Sequence, residues 1–213
     1  MSSSDGSGRE RDRGSGGGHG VCIWLTGPSG SGKSTVTKVL LPLLEKSGRT
    51  VSVLDVVDLL RKLPCERTSE GKLMRKAFVA GEVARHGGIA ICVTVSARTR
   101  VREEARRMIG ADRFLEVLVD APREVIVARK ATRGRTPSFA KHAKRALRPV
   151  VRRIAFRGRA PYEVPVAPDL RIDAARGTPA EGAHAIFDLL VERGCVAPGT
   201  ERADGSPEVA SAS

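Results

Sequence analysis

Residues 21–35 of the chain are Val-Cys-Ile-Trp-Leu-Thr-Gly-Pro-Ser-Gly-Ser-Gly-Lys-Ser-Thr, a short apolar run followed directly by a glycine-rich segment. The second part, from Gly27 to Ser34, fits the pattern G-x-x-x-x-G-K-[ST], whose backbone N–H groups converge on phosphate oxygens at the start of a helix. The apolar run predicts a buried parallel strand, and the valine- and leucine-rich stretch 33–46 predicts an amphipathic helix. A strand, this loop and a helix in that order predict a binding site for a nucleoside triphosphate.

Each position of the loop has a predicted part in nucleotide binding. Lys33 is expected to reach the β- and γ-phosphates and to act in catalysis, and Ser34 is expected to offer its hydroxyl to Mg²⁺. The predicted nucleotide-binding residues of the loop are Gly27, Pro28, Ser29, Gly30, Ser31, Gly32, Lys33, Ser34 and Thr35. A glycine-rich turn with a coincidental lysine is the alternative, and the flanking strand and helix patterns disfavour it. The loop identifies the phosphoryl donor and leaves the acceptor open.

Strand and helix patterns alternate along the rest of the chain. Further strands are predicted at 51–54, 89–95, 114–119 and 170–172, and further helices at 70–86, 99–109, 123–130 and 179–193. This alternation predicts an α/β fold, a three-layer sandwich around a five-stranded parallel sheet. Ligands of such sheets bind beyond the carboxyl ends of the strands, which is where Gly27, Asp55, Ser96 and Asp120 fall.

Three segments depart from this alternation. Residues 1–20 and 196–213 are mostly small, polar or charged, so we expect disordered tails around one domain of residues 21–195. Residues 131–163 are rich in Arg and Lys and interrupt the pattern, and a long basic insertion at the ligand end predicts a mobile lid. One or two of its basic side chains are expected to close over the phosphates.

Composition narrows the classes of partner. The net charge of +13 suits either a nucleic acid or a small anionic substrate, but aromatic residues make up only 3% of the chain, which disfavours stacking on nucleic-acid bases. No apolar run approaches the roughly 20 residues that span a bilayer, so we expect no membrane partner and a cytoplasmic location. The four cysteines show no C-x-x-C spacing, which disfavours a zinc site and favours reduced thiols.

Four stretches of the chain resemble the adenylyl-sulfate kinases, a family of P-loop kinases, over about residues 22–191. They are the loop with Ile23-Trp-Leu-Thr before it, Val53-Leu-Asp55, Phe114-Leu-Glu-Val-Leu-Val-Asp-Ala-Pro122, and Phe156 and Gly158 with Pro161-Tyr-Glu-Val-Pro165 and Pro168-Asp-Leu170. The resemblance implies MgATP as donor and the 3′-hydroxyl of adenylyl sulfate as acceptor, a reaction of sulfate assimilation. It also implies small-molecule nucleotide partners, and the sequence leaves the oligomeric state open, a homodimer included.

The resemblance also implies roles for individual residues outside the loop. Arg129 would contact the base of ATP, Phe156 would stack on the adenine of the acceptor, and Ser96 matches a position labelled phosphoserine in the family. Asp55, where the second predicted strand ends, is the expected catalytic base and Mg²⁺ anchor, with Asp58 as the alternative base. The predicted catalytic residues are Lys33, Asp55, Asp58 and Ser96, and the predicted substrate-binding residues are Asp55, Arg61, Ser96, Arg98, Arg102 and Phe156.

The acceptor side departs from the family pattern. The family's Asp-Gly-Asp-Asn is here Asp55-Val-Val-Asp58, its Ser-Pro-Tyr-Arg is Ser96-Ala-Arg-Thr99, and its Asp-Arg-x-x-Asn falls near 72–76. Two alternatives therefore stay open: a kinase of the same fold acting on another nucleotide or a specialised metabolite, and a nucleotide-binding module without turnover. Structural alternatives also stay open for Asp55 and Ser96, either of which could cap the helix that follows it.

Overall fold

The structure, a computed structural model, describes residues 18–54, 68–133 and 161–198. Its strands are β1 (Val21–Thr26), β2 (Val51–Val53), β3 (Ile89–Val93), β4 (Phe114–Asp120) and β5 (Leu170–Asp173). Its helices are α1 (Lys33–Lys46), α2 (Ser69–Arg85), α3 (Thr99–Ile109), α4 (Arg123–Arg133) and α5 (Pro179–Glu192), and a 3₁₀ turn spans Ala111–Arg113.

The five strands form one parallel sheet in the order β2-β3-β1-β4-β5. All six residues of β1 are buried, because the strand lies in the middle of the sheet with Ile23 opposite Ile91 of β3 and Leu115 of β4. The predicted α/β fold with a five-stranded parallel sheet is confirmed. The loop after β1 therefore lies at the centre of the carboxyl edge, between the ends of β3 and β4.

Alternation along β1 divides the interior into two cores. Val21, Ile23 and Leu25 face one side of the sheet, where they pack with buried residues of α1 and α5 such as Leu40 and Ile186. Cys22 and Trp24 face the other side, where the buried residues of α2 and α3 include Ala77, Ala80 and Ala105. Helices on both faces make the three-layer sandwich that the alternating pattern predicted.

Several element bounds differ from the predicted ones for identifiable reasons. The strand predicted to end at Val95 ends at Val93, and Ser96, three residues further on, has a left-handed backbone with φ +32° that a strand does not contain. Helix α4 continues through Arg133 and so occupies the first residues of the segment predicted to be a lid. Residues 134–160, the body of that segment, lie outside the described residues.

The described residues include three on the tail side of each predicted domain boundary, 18–20 and 196–198. The guanidinium of Arg49 donates to the carbonyls of Gly18 and His19 and so holds residues that the sequence assigned to the N-terminal tail. Val196, assigned to the C-terminal tail, is buried in the core and donates its N–H to the carbonyl of Leu190. Apolar burial and a charged donor outweigh the polar composition of these short stretches.

Two further findings concern the described part as a whole. Within residues 18–54, 68–133 and 161–198, no helix is both long enough and apolar enough to cross a bilayer. Cys22, Cys92 and Cys195 are buried thiols. Burial raises the pKa of Cys22 well above its usual value, so its thiol stays protonated at neutral pH. The fourth cysteine, Cys65, lies outside the described residues.

Candidate active site

Three glycines give the loop after β1 its shape. Gly27, Gly30 and Gly32 have φ angles of +142°, +96° and +118°, which side chains other than hydrogen rarely permit. Gly27 also lies close to the neighbouring strand β4: a Cβ at this position would be 2.2 Å from the carbonyl oxygen of Val119. Gly32 precedes α1 directly, so the free N–H groups and positive end of that helix point into the loop. This geometry is that of an anion-binding cradle.

Lys33 is held against the loop. Its side chain is 7% exposed, and Nζ donates to the carbonyl oxygens of Gly27 and Pro28, each at 2.8 Å. Both acceptors belong to the loop itself, so the ammonium lies where phosphate oxygens would meet the backbone N–H groups. This position is compatible with the predicted phosphate contact of Lys33, which stays a prediction.

Two cavities flank the loop and share Gly32 as a lining residue. The larger, about 510 Å³, lies on the side of β4 and β5 and is lined by Gly32, Thr35, Val36, Ala128, Arg129, Ile172, Ala174, Gly177, Thr178 and Pro179. The smaller, a cleft of about 360 Å³, lies on the side of β3 and is lined by Ser29, Gly30, Gly32, Lys33, Ser34, Lys76, Val93, Thr94 and Val95. A phosphate chain on the loop would therefore have one space at each end.

Arg129 spans the wall between the loop and the end of β5. Its guanidinium donates to the carbonyl of Ser31 at 3.0 Å and to the carbonyl of Ala174. The side chain lines the larger cavity, where a flat guanidinium offers a surface for a planar base. This position is compatible with the predicted contact to the base of ATP, which stays a prediction.

The donor atoms near the loop fit a magnesium ion held mainly by phosphate. Ser34 is exposed and lines the cleft, so its hydroxyl is a hard oxygen ligand available to a metal. In the described ranges, no group of three or more His, Cys, Asp or Glu residues could hold a metal by itself. Mg²⁺ commonly takes one or two protein oxygens plus phosphate and water, so Ser34 satisfies the minimum that such an ion needs.

Ser96 is buried under the end of β1. Its side chain is 2% exposed, and Oγ accepts a hydrogen bond from Trp24 Nε1 at 3.1 Å. Thr26 Oγ1 donates its one hydrogen to the carbonyl of Val95 at 3.0 Å. It therefore accepts hydrogen bonds from the hydroxyl of Ser96, at 2.9 Å, and from the hydroxyl of Tyr162, at 3.0 Å. These bonds fix the last residue before the phosphate loop. In this structure Ser96 supports the loop, and its predicted substrate contact stays a prediction.

Arg102 faces the interior, not the cleft. It is 3% exposed, its Nε lies 2.7 Å from Glu116 Oε1, and its Nη1 donates to the carbonyl of Ser96 at 2.8 Å. Its guanidinium also lies 5.8 Å from the ring centre of Tyr162. In this structure Arg102 holds the backbone at Ser96, and its predicted role in substrate binding stays a prediction. The local sequence pattern could not indicate this placement, because the partner, Glu116, is buried in another element, strand β4.

Arg98, another predicted substrate-binding residue, and its neighbour Arg100 lie on the surface. Arg98 and Arg100 both pair with Glu70 of α2, the former with Nη1 3.4 Å from Oε1. Exposed ion pairs of this kind are weak, so the side chain of Arg98 could leave Glu70 and bind a substrate instead. Its predicted contact stays a prediction.

Behind Arg102, an ion network continues toward α5. Asp169 accepts the N–H of Glu116 at 2.8 Å and the guanidinium groups of Arg106, at 3.0 Å, and Arg193, at 3.1 Å. Burial raises the pKa of Glu116 even though Arg102 and Arg106 draw it down. Burial acts in the same direction on Asp169, but the hydrogen bonds from Glu116 and Arg106 outweigh it and lower the pKa of Asp169. The network joins β4, α3 and α5 behind the candidate site.

The remaining predicted site residues cannot be placed by this structure. Asp55, Asp58, Arg61 and Phe156 lie outside the described residues, so their roles stay predictions. Sequence reasoning passed over Thr26 and Tyr162, although Tyr162 belongs to the Pro161-Tyr-Glu-Val-Pro165 stretch quoted for the resemblance. That stretch is the signal that could have identified the support beneath the loop.

Comparison with known proteins agrees with the geometry. The profile of the adenylylsulphate kinase family matches residues 19–173 of the chain. The chain belongs to the adenylyl-sulfate kinase family. The match covers all five strands of the sheet, and thus the loop, the smaller cleft and Ser96.

The matches to individual relatives cover nearly the whole length of each relative. A probable adenylyl-sulfate kinase of Pyrococcus abyssi is 35% identical over 181 residues, which cover 82% of this chain and 97% of the relative. The adenylyl-sulfate kinase of Paraburkholderia xenovorans is 35% identical over 192 residues, covering 83% and 96%. Among solved structures, the APS kinase of Mycobacterium tuberculosis in complex with AMPPNP and APS aligns with a TM-score of 0.62 at 27% identity, covering 81% of this chain and 98% of that one.

Proposed function

We propose that this adenylyl-sulfate kinase family member transfers the γ-phosphoryl group of ATP to the 3′-hydroxyl of adenylyl sulfate. The products are ADP and 3′-phosphoadenylyl sulfate. The observation that carries this proposal is the phosphate loop with one cavity at each end, in a chain whose family match, residues 19–173, includes the loop and the whole smaller cleft. A phosphotransferase needs this arrangement, because donor and acceptor must meet at the terminal phosphate.

The larger cavity is the proposed site of the ATP base. Arg129 borders it, and the N-terminus of α5 contributes Thr178 and Pro179 to its wall. From there the phosphates would run across the loop, where the N–H groups and the positive end of α1 bind them. The γ-phosphate then reaches the cleft near Lys33 and Ser34.

The chain's own groups would hold the transfer in line. Lys33 would exchange its bonds to the carbonyls of Gly27 and Pro28 for phosphate oxygens and so neutralise charge on the group in transit. The 3′-oxygen forms the new bond to phosphorus as the bond to the oxygen of ADP breaks, and the hydroxyl proton passes to Asp55, or to Asp58. Mg²⁺, when bound at Ser34, would withdraw charge from the β- and γ-phosphates.

The proposal also includes a metal ion, a location and an oligomeric state. The requirement for Mg²⁺ rests on the ligand chemistry of Ser34 and on the use of ATP. A cytoplasmic location is proposed because ATP and reduced thiols suit that compartment. A homodimer stays a prediction; the APS kinase of Thiobacillus denitrificans, another structural neighbour, is described as hexameric.

Release of ADP from MgATP tests the activity directly. Purified protein should release ADP only when adenylyl sulfate is added. Lys33→Ala should abolish the release, whereas Lys38→Ala, an exposed lysine one turn further along α1, should leave it unchanged. Release with another nucleotide but not with adenylyl sulfate would assign the chain to a different acceptor. Binding of ATP with no release for any acceptor would make it a module without turnover.

The catalytic base can be tested in the same assay. Asp55→Asn should lower kcat by about 10²-fold or more if that carboxylate accepts the proton. Asp58→Asn is the matched comparison, since it removes the neighbouring carboxylate without touching the strand end. A normal rate for Asp55→Asn together with a loss for Asp58→Asn would transfer the role to Asp58.

A further inference from the structure

The turn that follows β3, residues 96–99, contains a strained residue. Among the described residues, Ser96 is the one residue other than glycine with a positive φ, +32°. Such a backbone persists only where the surrounding contacts fix it. Thr94 and Val95, directly before Ser96, line the smaller cleft beside the phosphate loop. The contacts that hold the Ser96 turn therefore also set the position of this cleft wall.

Glu163 binds the Ser96 turn at two points. Its backbone N–H donates to the carbonyl of Ala97 at 2.8 Å, and its Oε2 accepts the N–H of Thr99 at 2.7 Å. Thr99 is the first residue of α3, and the side chain of Arg98, the residue before it, makes no capping bond. The Glu163 carboxylate takes the place of a cap at the positive end of this helix. Because the hydrogen bonds from Thr99 lower the pKa of Glu163, the carboxylate is ionised at neutral pH.

Tyr162, the residue before Glu163, joins the same segment to the phosphate loop. Its hydroxyl donates to Thr26 Oγ1 at 3.0 Å, and Thr26 Oγ1 donates in turn to the carbonyl of Val95. Thr26 is the last residue of β1 and directly precedes Gly27, the first residue of the loop. One short segment thus holds both the loop and the end of β3, which form two sides of the smaller cleft.

We propose that Glu163 is a positioning residue, which holds the Ser96 turn so that the cleft wall keeps the acceptor hydroxyl in line with the γ-phosphate. The inference rests on the proposed function only in taking the smaller cleft as the place where acceptor and γ-phosphate meet. The described lining residues of that cleft do not include Glu163, so its effect passes through the turn. A small displacement of the wall should therefore lower the rate of transfer more than the affinity for ATP.

The tryptophan of the chain offers a probe of the turn that needs no turnover. Trp24 is the one tryptophan in the sequence, and its indole N–H donates to Ser96 Oγ at 3.1 Å. The ¹H–¹⁵N resonance of the indole therefore reports on the Ser96 turn. Glu163→Ala should shift this resonance and accelerate its hydrogen exchange. Glu163→Gln, which keeps an oxygen that can accept the Thr99 N–H, should stay close to wild type.

Kinetics of ADP release test the consequence for transfer. With MgATP and adenylyl sulfate, Glu163→Ala should lower kcat by about 10- to 100-fold, while ATP affinity measured by calorimetry and the urea midpoint stay unchanged. Glu163→Gln should retain most of the kcat, and Glu103→Ala, which removes an exposed glutamate of α3, should behave as wild type. A normal kcat for Glu163→Ala, an equal loss for Glu163→Gln, or a matching loss of ATP affinity would overturn the inference.

The two measurements keep this inference separate from the proposed function. If wild-type protein releases no ADP with adenylyl sulfate, the proposed function fails, and the Trp24 resonance still tests whether Glu163 holds the turn. A resonance that Glu163→Ala leaves unchanged would overturn the inference whatever the turnover. Normal release by wild type together with normal release by Glu163→Ala would overturn the inference and leave the proposed function standing.

Discussion

The buried pair of Arg102 and Glu116 makes the sharpest prediction about stability. Arg102 contributes an ion pair to Glu116 at 2.7 Å, a hydrogen bond to the Ser96 carbonyl at 2.8 Å and one to Thr99 Oγ1 at 3.0 Å. Arg102→Met keeps an unbranched side chain of similar reach and removes all three. Glu116 would then keep only Arg106, whose Nη2 lies 3.8 Å from Oε2.

The expected loss is large because both partners are shielded from water. The side chains of Arg102 and Glu116 are 3% and 11% exposed. Removing one partner of a buried ion pair costs about 3–5 kcal/mol, because the other charge is left without compensation. Arg100→Met on the same helix is the matched control, since an exposed pair such as that of Arg100 with Glu70 is worth at most about 1 kcal/mol.

The dependence of this loss on pH follows from the raised pKa of Glu116. A carboxyl whose pKa is higher in the folded protein than in the unfolded chain favours folding below the unfolded pKa, and that contribution disappears as the pH rises through the folded pKa. Without Arg102 the pKa of Glu116 should rise further. The destabilisation by Arg102→Met should therefore be smaller at about pH 5 than at about pH 8.

Urea denaturation of four proteins measures the pair. Wild type, Arg102→Met, Glu116→Gln and the double variant form a cycle whose coupling energy should reach at least about 2 kcal/mol. A loss below about 1 kcal/mol for Arg102→Met, or a loss that does not change between the two pH values, would refute the reasoning.

Three further predictions concern the support of the loop and the network behind it. Tyr162→Phe removes the 3.0 Å hydrogen bond to Thr26 and should cost about 0.5–1.5 kcal/mol in urea, with no loss meaning that the bond is not formed in solution. Asp169→Asn should be less stable than wild type at neutral pH. This difference should shrink below about pH 4, because a carboxyl with a lowered pKa loses its stabilising contribution as the pH falls through that pKa. A difference that stays constant with pH would argue against an ionised Asp169. Ser31→Ala should raise the free energy of unfolding by about 1–3 kcal/mol, because the buried Ser31 hydroxyl has no hydrogen-bond partner within the described part of the chain. A drop in ATP affinity measured by calorimetry would instead assign that hydroxyl to nucleotide binding.

Local pattern was sufficient for the elements around the loop. The bounds predicted for β1, α1 and α3 agree with the structure, because each has a strong period and a clear terminus, such as Gly110 after α3. The predicted start of α5 at Pro179 also agrees with the structure, where Thr178 and Glu181 satisfy each other's backbone N–H groups in a capping box. Signals that lie within one turn or one strand can be recognised from the sequence alone.

Contacts across the sheet were beyond the same reasoning. Glu116 lies in the middle of an apolar strand, and no local pattern pairs it with Arg102 on the preceding helix. The positive φ of Ser96 could not be predicted for a similar reason, since the turn depends on partners in β1 and near residue 162.

The position of the transferred phosphate is the most direct test of the central claim. Protein supplied with MgATP and adenylyl sulfate should yield a nucleotide whose ³¹P spectrum shows a new phosphomonoester coupled to the 3′ proton of the ribose. An unchanged adenylyl sulfate spectrum under conditions where the protein binds ATP would contradict the account, as would a phosphoryl group on any other oxygen.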